Sequence, residues 1–172
     1  IKGKLKLKGE ERAIEIDLDV NQVNEFLEFE NNYVISDWYP KEKLIENSRI
    51  SAKKGMDISD LFTKRTLACH ARLLSLIEKH STGKEKELLK VAFTANLANC
   101  SRLVPPIKSR GPMAPGAWMT GFYTGETYLE NNVLNYFENR FNKLMKGKED
   151  YLSFFNKSGN KLPTHTIRYW EK

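Results

Sequence analysis

A chain of 172 residues, 40% hydrophobic and 29% charged, is long enough to bury a core and too balanced in composition to be fibrous or unfolded. No apolar run approaches the ~20 residues of a membrane helix, which excludes a helical span. The two cysteines, Cys69 and Cys100, cannot build a disulfide framework, so a reducing, cytoplasmic setting is expected.

The chain opens at Ile1 without a signal-peptide pattern and reads as a segment of something longer. Its 28 basic and 22 acidic side chains leave a net charge of +6, unevenly spread. Residues 1–20 cancel, 21–60 carry −3, 61–127 carry +6 and 128–172 carry +3. A basic field concentrated in the middle and C-terminal thirds attracts polyanions.

Lys4 to Lys8 alternates, Gly9-Glu10-Glu11 turns, and Ala13 to Asp19 alternates again, the pattern of a β-hairpin. Lys4, Lys6 and Lys8 would face Glu15, Asp17 and Asp19, an arrangement that helps set the register. Two strands alone are marginal, so 1–19 either packs on this domain or belongs to a neighbouring one. Asp19 with Gln22 forms a capping box opening a helix over about 20–30 through Val23, Phe26 and Leu27. Trp38-Tyr39-Pro40 ends the next stretch, and 41–58, with Lys53-Lys54-Gly55, reads as an exposed connection.

A second helix begins near Asp60 or Thr63. From Lys64 to His80 the residues Leu67, Ala71, Leu73, Leu74 and Ile77 share one face, and Arg65, Arg72 and Lys79 make a stripe opposite. Thr82 with Glu85 predicts another capping box and a helix over about 84–102. That helix is apolar nearly all round (Leu88, Val91, Ala92, Ala95 and Ala98 on one side; Leu89, Phe93, Leu97 and Cys100 on the other), which predicts burial, with Asn96 and Asn99 needing partners inside.

Residues 103–127 hold four glycines and four prolines, and so long a structureless connection is uncommon unless functional or disordered. This stretch carries Lys108, Arg110, Trp118, Phe122 and Tyr123, and its first acid is Glu126. Cations interleaved with aromatics suit contact with phosphates and bases. Thr127 with Glu130 predicts a third capping box and an amphipathic helix over 128–146, with Val133, Leu134, Phe137, Phe141 and Leu144 inward and Asn132, Asn135, Asn139, Asn142 and Lys143 outward. Tyr151 to Phe155 would add a short turn, and Thr164 to Trp170 a strand or linker. The expected fold is mainly α within the α+β class: a helical bundle at 20–158, preceded by a hairpin at 1–19 and followed by a tail at 159–172.

Catalytic chemistry is not apparent. His70, His80 and His165 lack metal spacing with either cysteine, and no CxxC or HxxxH occurs. Cys100 lies in an apolar helix, where a thiol acts as a small hydrophobe. No Walker-type loop exists, and Gly121 to Gly125 lacks a preceding strand.

Several phrases, in order, resemble known proteins: Asp37-Trp38-Tyr39-Pro40; Asp60-Leu61-Phe62-Thr63-Lys64-Arg65-Thr66-Leu67; Ala92-Phe93-Thr94-Ala95 through Asn99-Cys100-Ser101-Arg102-Leu103; and Asn131-Asn132-Val133 through Phe137-Glu138-Asn139-Arg140-Phe141. Together, over about 33–145, they resemble the helical segment of DNA modification methylases acting on the exocyclic amines of adenine or cytosine. In that group the segment lies between the S-adenosylmethionine-binding part and the part bearing the catalytic Pro-Pro-aromatic motif. Here Val104-Pro105-Pro106-Ile107 lacks both the preceding polar residue and the following ring, and the Phe-x-Gly-x-Gly cofactor turn is absent. The resemblance therefore implies a target-recognition or accessory region of a restriction-modification methyltransferase, with no cofactor or catalytic residue in this segment. The expected partners are double-stranded DNA and the catalytic domain of the same chain, with no membrane. The candidate DNA contacts are Lys64, Arg65, Arg72, Lys79, Arg102, Lys108, Arg110, Trp118 and Tyr123. The alternative is a structural or dimerisation module, such as a homodimer, that touches no DNA.

Overall fold

The computed structural model describes residues 2–5, 14–46, 51, 54–110 and 114–158. The fold is mainly helical, as expected. Strands β1 (Lys2–Leu5) and β2 (Ile14–Asp17) pair antiparallel, with Lys4 in register with Glu15 and Lys2 with Asp17. Lys6, Lys8 and the turn between the strands lie outside the described residues, as do Lys53 and the expected strand at Thr164–Trp170.

Helix α1 (Val20–Asn32) starts with the expected capping box: Asp19 Oδ1 accepts from the Gln22 amide at 2.9 Å, and Gln22 Oε1 accepts from the Asp19 amide at 3.1 Å. The stretch expected to be a plain exposed connection is instead paired with itself. The Leu44 amide donates to the Met56 carbonyl (2.8 Å) and the Ile58 amide to the Glu42 carbonyl (2.9 Å), delivering the chain into a 3-10 turn at Ile58–Leu61.

Thr63 then caps α2 (Lys64–His80), its hydroxyl accepting from the Thr66 amide. Helix α3 (Gly83–Leu97) is shorter than expected and passes into a 3-10 turn at Ala98–Cys100. The Thr82–Glu85 box does not form: Thr82 makes no capping bond, and Gly83, with φ +53°, starts the helix where a side chain would be strained. Nor is α3 buried all round. Only Ala92 and Asn96 of α3 are fully buried, and Val91 is 48% exposed, because α2 and α4 cover α3 on part of its circumference.

Helix α4 runs Val133–Ser158, later at its start than expected and absorbing the supposed turn at 151–155. Residues 128–132 are not helical, and Asn132, not Thr127, caps the helix, its Oδ1 accepting from the Asn135 amide at 3.0 Å. The core gathers Leu73 and Ile77 of α2, Cys100, and Val133 of α4, with Leu89, Phe93, Tyr136 and Phe137 packed around them. Asn96 finds the partners it needs: its Nδ2 donates to the Val133 carbonyl (3.1 Å) and lies 3.5 Å from His70 Nε2, and its Oδ1 accepts from the Cys100 thiol (3.4 Å). One buried amide thus joins three helices. No helix among the described residues is long and apolar enough to cross a membrane.

Candidate functional site

The stretch that looks structureless by composition is a clamped excursion. Pro106 bridges Pro115, the Ile107 amide donates to the Ala114 carbonyl (2.8 Å), and the Gly116 amide donates to the Pro105 carbonyl (2.9 Å). Further down, Met119 bonds Leu103 (2.8 Å) and Leu129 bonds Val104 (2.9 Å), each through the amide donating to the carbonyl. Pro105 thus supplies one of the accepting carbonyls, the prolines add stiffness, and non-proline residues supply the donors. Gly116 is required by close approach: a Cβ there would lie 3.0 Å from the Pro105 carbonyl oxygen and 3.1 Å from Ile107 Cγ1. Pro105-Pro106 is therefore a structural pair in this ladder.

The tip carries a 3-10 turn, Lys108–Arg110. Arg110 is exposed, and no described carboxylate pairs with it; the side chain of Lys108 lies outside the described residues. From Leu103 to Gly125 the chain contains no acid. Arg102 stands at the root of the excursion as a brace. Its amide donates to the Leu61 carbonyl (2.8 Å), its Nη1 to the Asp60 carbonyl (3.3 Å), and its guanidinium lies 5.1 Å from the Tyr128 ring centroid.

Much of the cationic stripe of α2 already has carboxylate neighbours. Arg65 is enclosed by carboxylates: Nε and Nη2 grip Glu130 at 2.8 and 2.7 Å, and Nη1 lies 3.3 Å from both Glu30 Oε1 and the Phe26 carbonyl. Its guanidinium also covers the Phe26 ring at 4.6 Å, and the bond to Glu130 is the main reason its pKa is raised. Lys64 donates its amide to Glu30 Oε2 (3.0 Å) and its Nζ to the Asn31 carbonyl (3.5 Å). Arg72, largely exposed, lies 3.8 Å from Asp37. Lys79 is exposed fourteen residues past Arg65, about 21 Å further along the helix axis, beside a cleft it shares with Trp38 and Glu78. Glu78 there is held below its usual carboxylate range by Lys90 and Lys86, at 2.8 and 2.9 Å.

Trp118 and Tyr123, about half exposed, remain with the excursion. Trp118 lines a groove of about 470 Å³ that sequence reasoning did not foresee, walled by Leu61, Phe62, Leu97, Leu103, Met119 and Phe122. Its rim is conformationally strained. Gly121 (φ +69°) and Phe122 (φ +55°) are both left-handed, a backbone state that costs a bulky residue about 1–3 kcal/mol. The Ser51 amide fixes this turn by donating to the Gly121 carbonyl at 2.6 Å. The only sequence signal was Gly121 itself, because a groove formed from three separated stretches has no local pattern.

The remaining titratable groups in the core are structural. His70 lies edge-on between Phe62 and Phe93 and is buried; burial pushes its pKa down to about 4 against the opposing effect of the Thr66 backbone, although no hydrogen bond of standard geometry reaches Nδ1. Burial likewise pushes the Cys100 thiol up to about 12, so it is protonated and inaccessible. Cys69 is exposed, with its pKa raised mainly by desolvation. Compared with known proteins, the chain matches no family model, no curated protein and no solved structure.

Proposed function

We propose that this chain is a DNA-binding accessory domain of an exocyclic-amine DNA methyltransferase, gripping the duplex while S-adenosylmethionine and the target base are handled by other parts of the enzyme. Methyltransferases of this kind extrude their target base, and a separate surface must hold the duplex meanwhile. The reading is carried by one observation: a stiff, two-sided excursion presents a basic tip, with Arg110 free of described carboxylates, in a stretch of 23 residues without an acid. The contact is narrower than the charge stripe predicted. Lys108 and Arg110 meet phosphates, with Trp118 and Tyr123 beside them, while Arg65 and Arg102 hold the scaffold together.

Fluorescence anisotropy with a labelled duplex tests this. Lys108→Ala/Arg110→Ala is expected to weaken binding and to reduce the slope of log affinity against log salt by roughly two units, about one per lost phosphate contact. An unchanged slope refutes the tip as the contact. The second reading, a structural or dimerisation module, is favoured by the pairing of Arg65 with Glu30 and Glu130. A salt-insensitive dimer in sedimentation, with no DNA binding, would establish it.

A further inference from the structure

Helix α4 outruns the core that it helps to build. Its first turns pack there through Val133, Tyr136 and Phe137, but every residue from Met145 to Phe154 is exposed. Nearly three turns of helix in water are marginal by themselves and are ordinarily held by packing of an apolar stripe. Leu144, Gly147, Tyr151 and Phe154 follow at spacings of three and four and so share one face, with Lys143 and Asp150 along one edge of it. Leu144 is half-buried, and Tyr151 and Phe154 are 41% and 65% exposed. Gly147, in the middle of the face, has no reason within this chain. Its backbone is helical and not left-handed, and a Cβ built on it meets nothing within 4 Å, so alanine would fit and favour the helix more. A glycine kept at such a place suits close approach by something from outside.

We propose that this face of α4 binds the same face of a second copy of the chain, the two helices running antiparallel. Complementarity of the face with itself selects that partner. A two-fold axis between Leu144 and Gly147 lays the leucine of each copy into the space left by the glycine of the other. The same rotation sets Lys143 opposite Asp150 of the second copy, twice by symmetry. Among the described residues no carboxylate pairs with Lys143 and no cation with Asp150, so both charges are available. A uniformly acidic or basic partner would gain from one of them and be repelled by the other. A parallel pair would set Lys143 against Lys148 of the second copy, like against like. An overlap of about three turns covers less than a standard interface of about 1,600 Å², so the expected dissociation constant is micromolar. Dimerisation does not depend on what the tip at Lys108–Arg110 binds.

Sedimentation equilibrium of the full chain, without DNA and over a range of roughly 1–200 μM, tests this. The expected result is a monomer–dimer equilibrium. Gly147→Gln should weaken it at least about tenfold while circular dichroism shows helix content unchanged or higher, a split that a merely structural role for the glycine would not produce. Lys143→Glu and Asp150→Lys alone should each weaken the dimer by about tenfold, since each exchange makes two symmetry-related pairs repulsive. Mixed in equal amounts, the two variants should regain at least the native affinity, because every pair is then of unlike charge. Lys108→Ala/Arg110→Ala should dimerise like the native chain. A monomer at every concentration overturns the proposal. So does a dimer indifferent to Gly147→Gln and to both charge exchanges, which places the contact elsewhere. Loss of the dimer in each charge variant without recovery in the mixture overturns the antiparallel pairing.

Discussion

Acidification from pH 8 to pH 5 charges His70 in the unfolded chain but not in the folded one. The ring is enclosed by Phe62 and Phe93, and burial lowers its pKa from 6.5 to about 4. The unfolded state therefore binds the extra proton between these values. Stability is fully present above pH 6.5 and falls as pH drops towards 4, with no further change below, where both states are protonated. The full gap corresponds to about 3 kcal/mol and the portion lost by pH 5 to about 2 kcal/mol, a large part of the 5–15 kcal/mol typical of a domain. Urea unfolding followed by circular dichroism at pH 8, 7, 6 and 5, on the native chain and on His70→Leu, isolates the effect. His80 and His165 are common to both chains and cancel in the difference. The stability advantage of the native chain over His70→Leu should shrink by about 2 kcal/mol from pH 8 to pH 5. A difference independent of pH would refute the burial argument.

Arg65→Ala should destabilise by about 1–2 kcal/mol, and a double-mutant cycle with Glu130→Ala should show coupling above about 0.5 kcal/mol, since the pair is bidentate and partly shielded; zero coupling would mean the contact is incidental. Gly116→Ala, whose Cβ meets Pro105 and Ile107, should cost about 1–3 kcal/mol and speed hydrogen exchange at the Ile107 and Met119 amides, whereas unchanged exchange would contradict the clamped ladder. A thiol reagent at pH 8 should titrate Cys69 in the native chain and Cys100 only after denaturation; prompt modification of both would contradict the enclosure of Cys100.

What was legible in the sequence was local. Asp19–Gln22 and Thr63 cap α1 and α2 because each cap is a bond within one turn of chain. The Thr127–Glu130 pattern was equally plausible locally and did not form, because Glu130 is taken by an arginine 65 positions away. The same long-range bond engages Arg65, which the sequence offered as a phosphate contact. α3 was apolar on all sides, yet exposed Val91 shows that composition does not say how many neighbours arrive. The excursion at 103–127 looked irregular because its ladder joins residues seven to twenty-five apart through backbone atoms, which carry no side-chain signature.

Helix α1 has no buried side chain, and its best attachment is ionic: Glu30 sits on the first amides of α2 and touches Arg65. The excursion, by contrast, is tied down by amide-to-carbonyl bonds that ionic strength hardly affects. The molecule is thus fastened at its two flanks by unlike means. Concentrated salt should loosen the N-terminal flank first and leave the other flank seated, so that the front of this domain comes away as a unit while the rest stays folded.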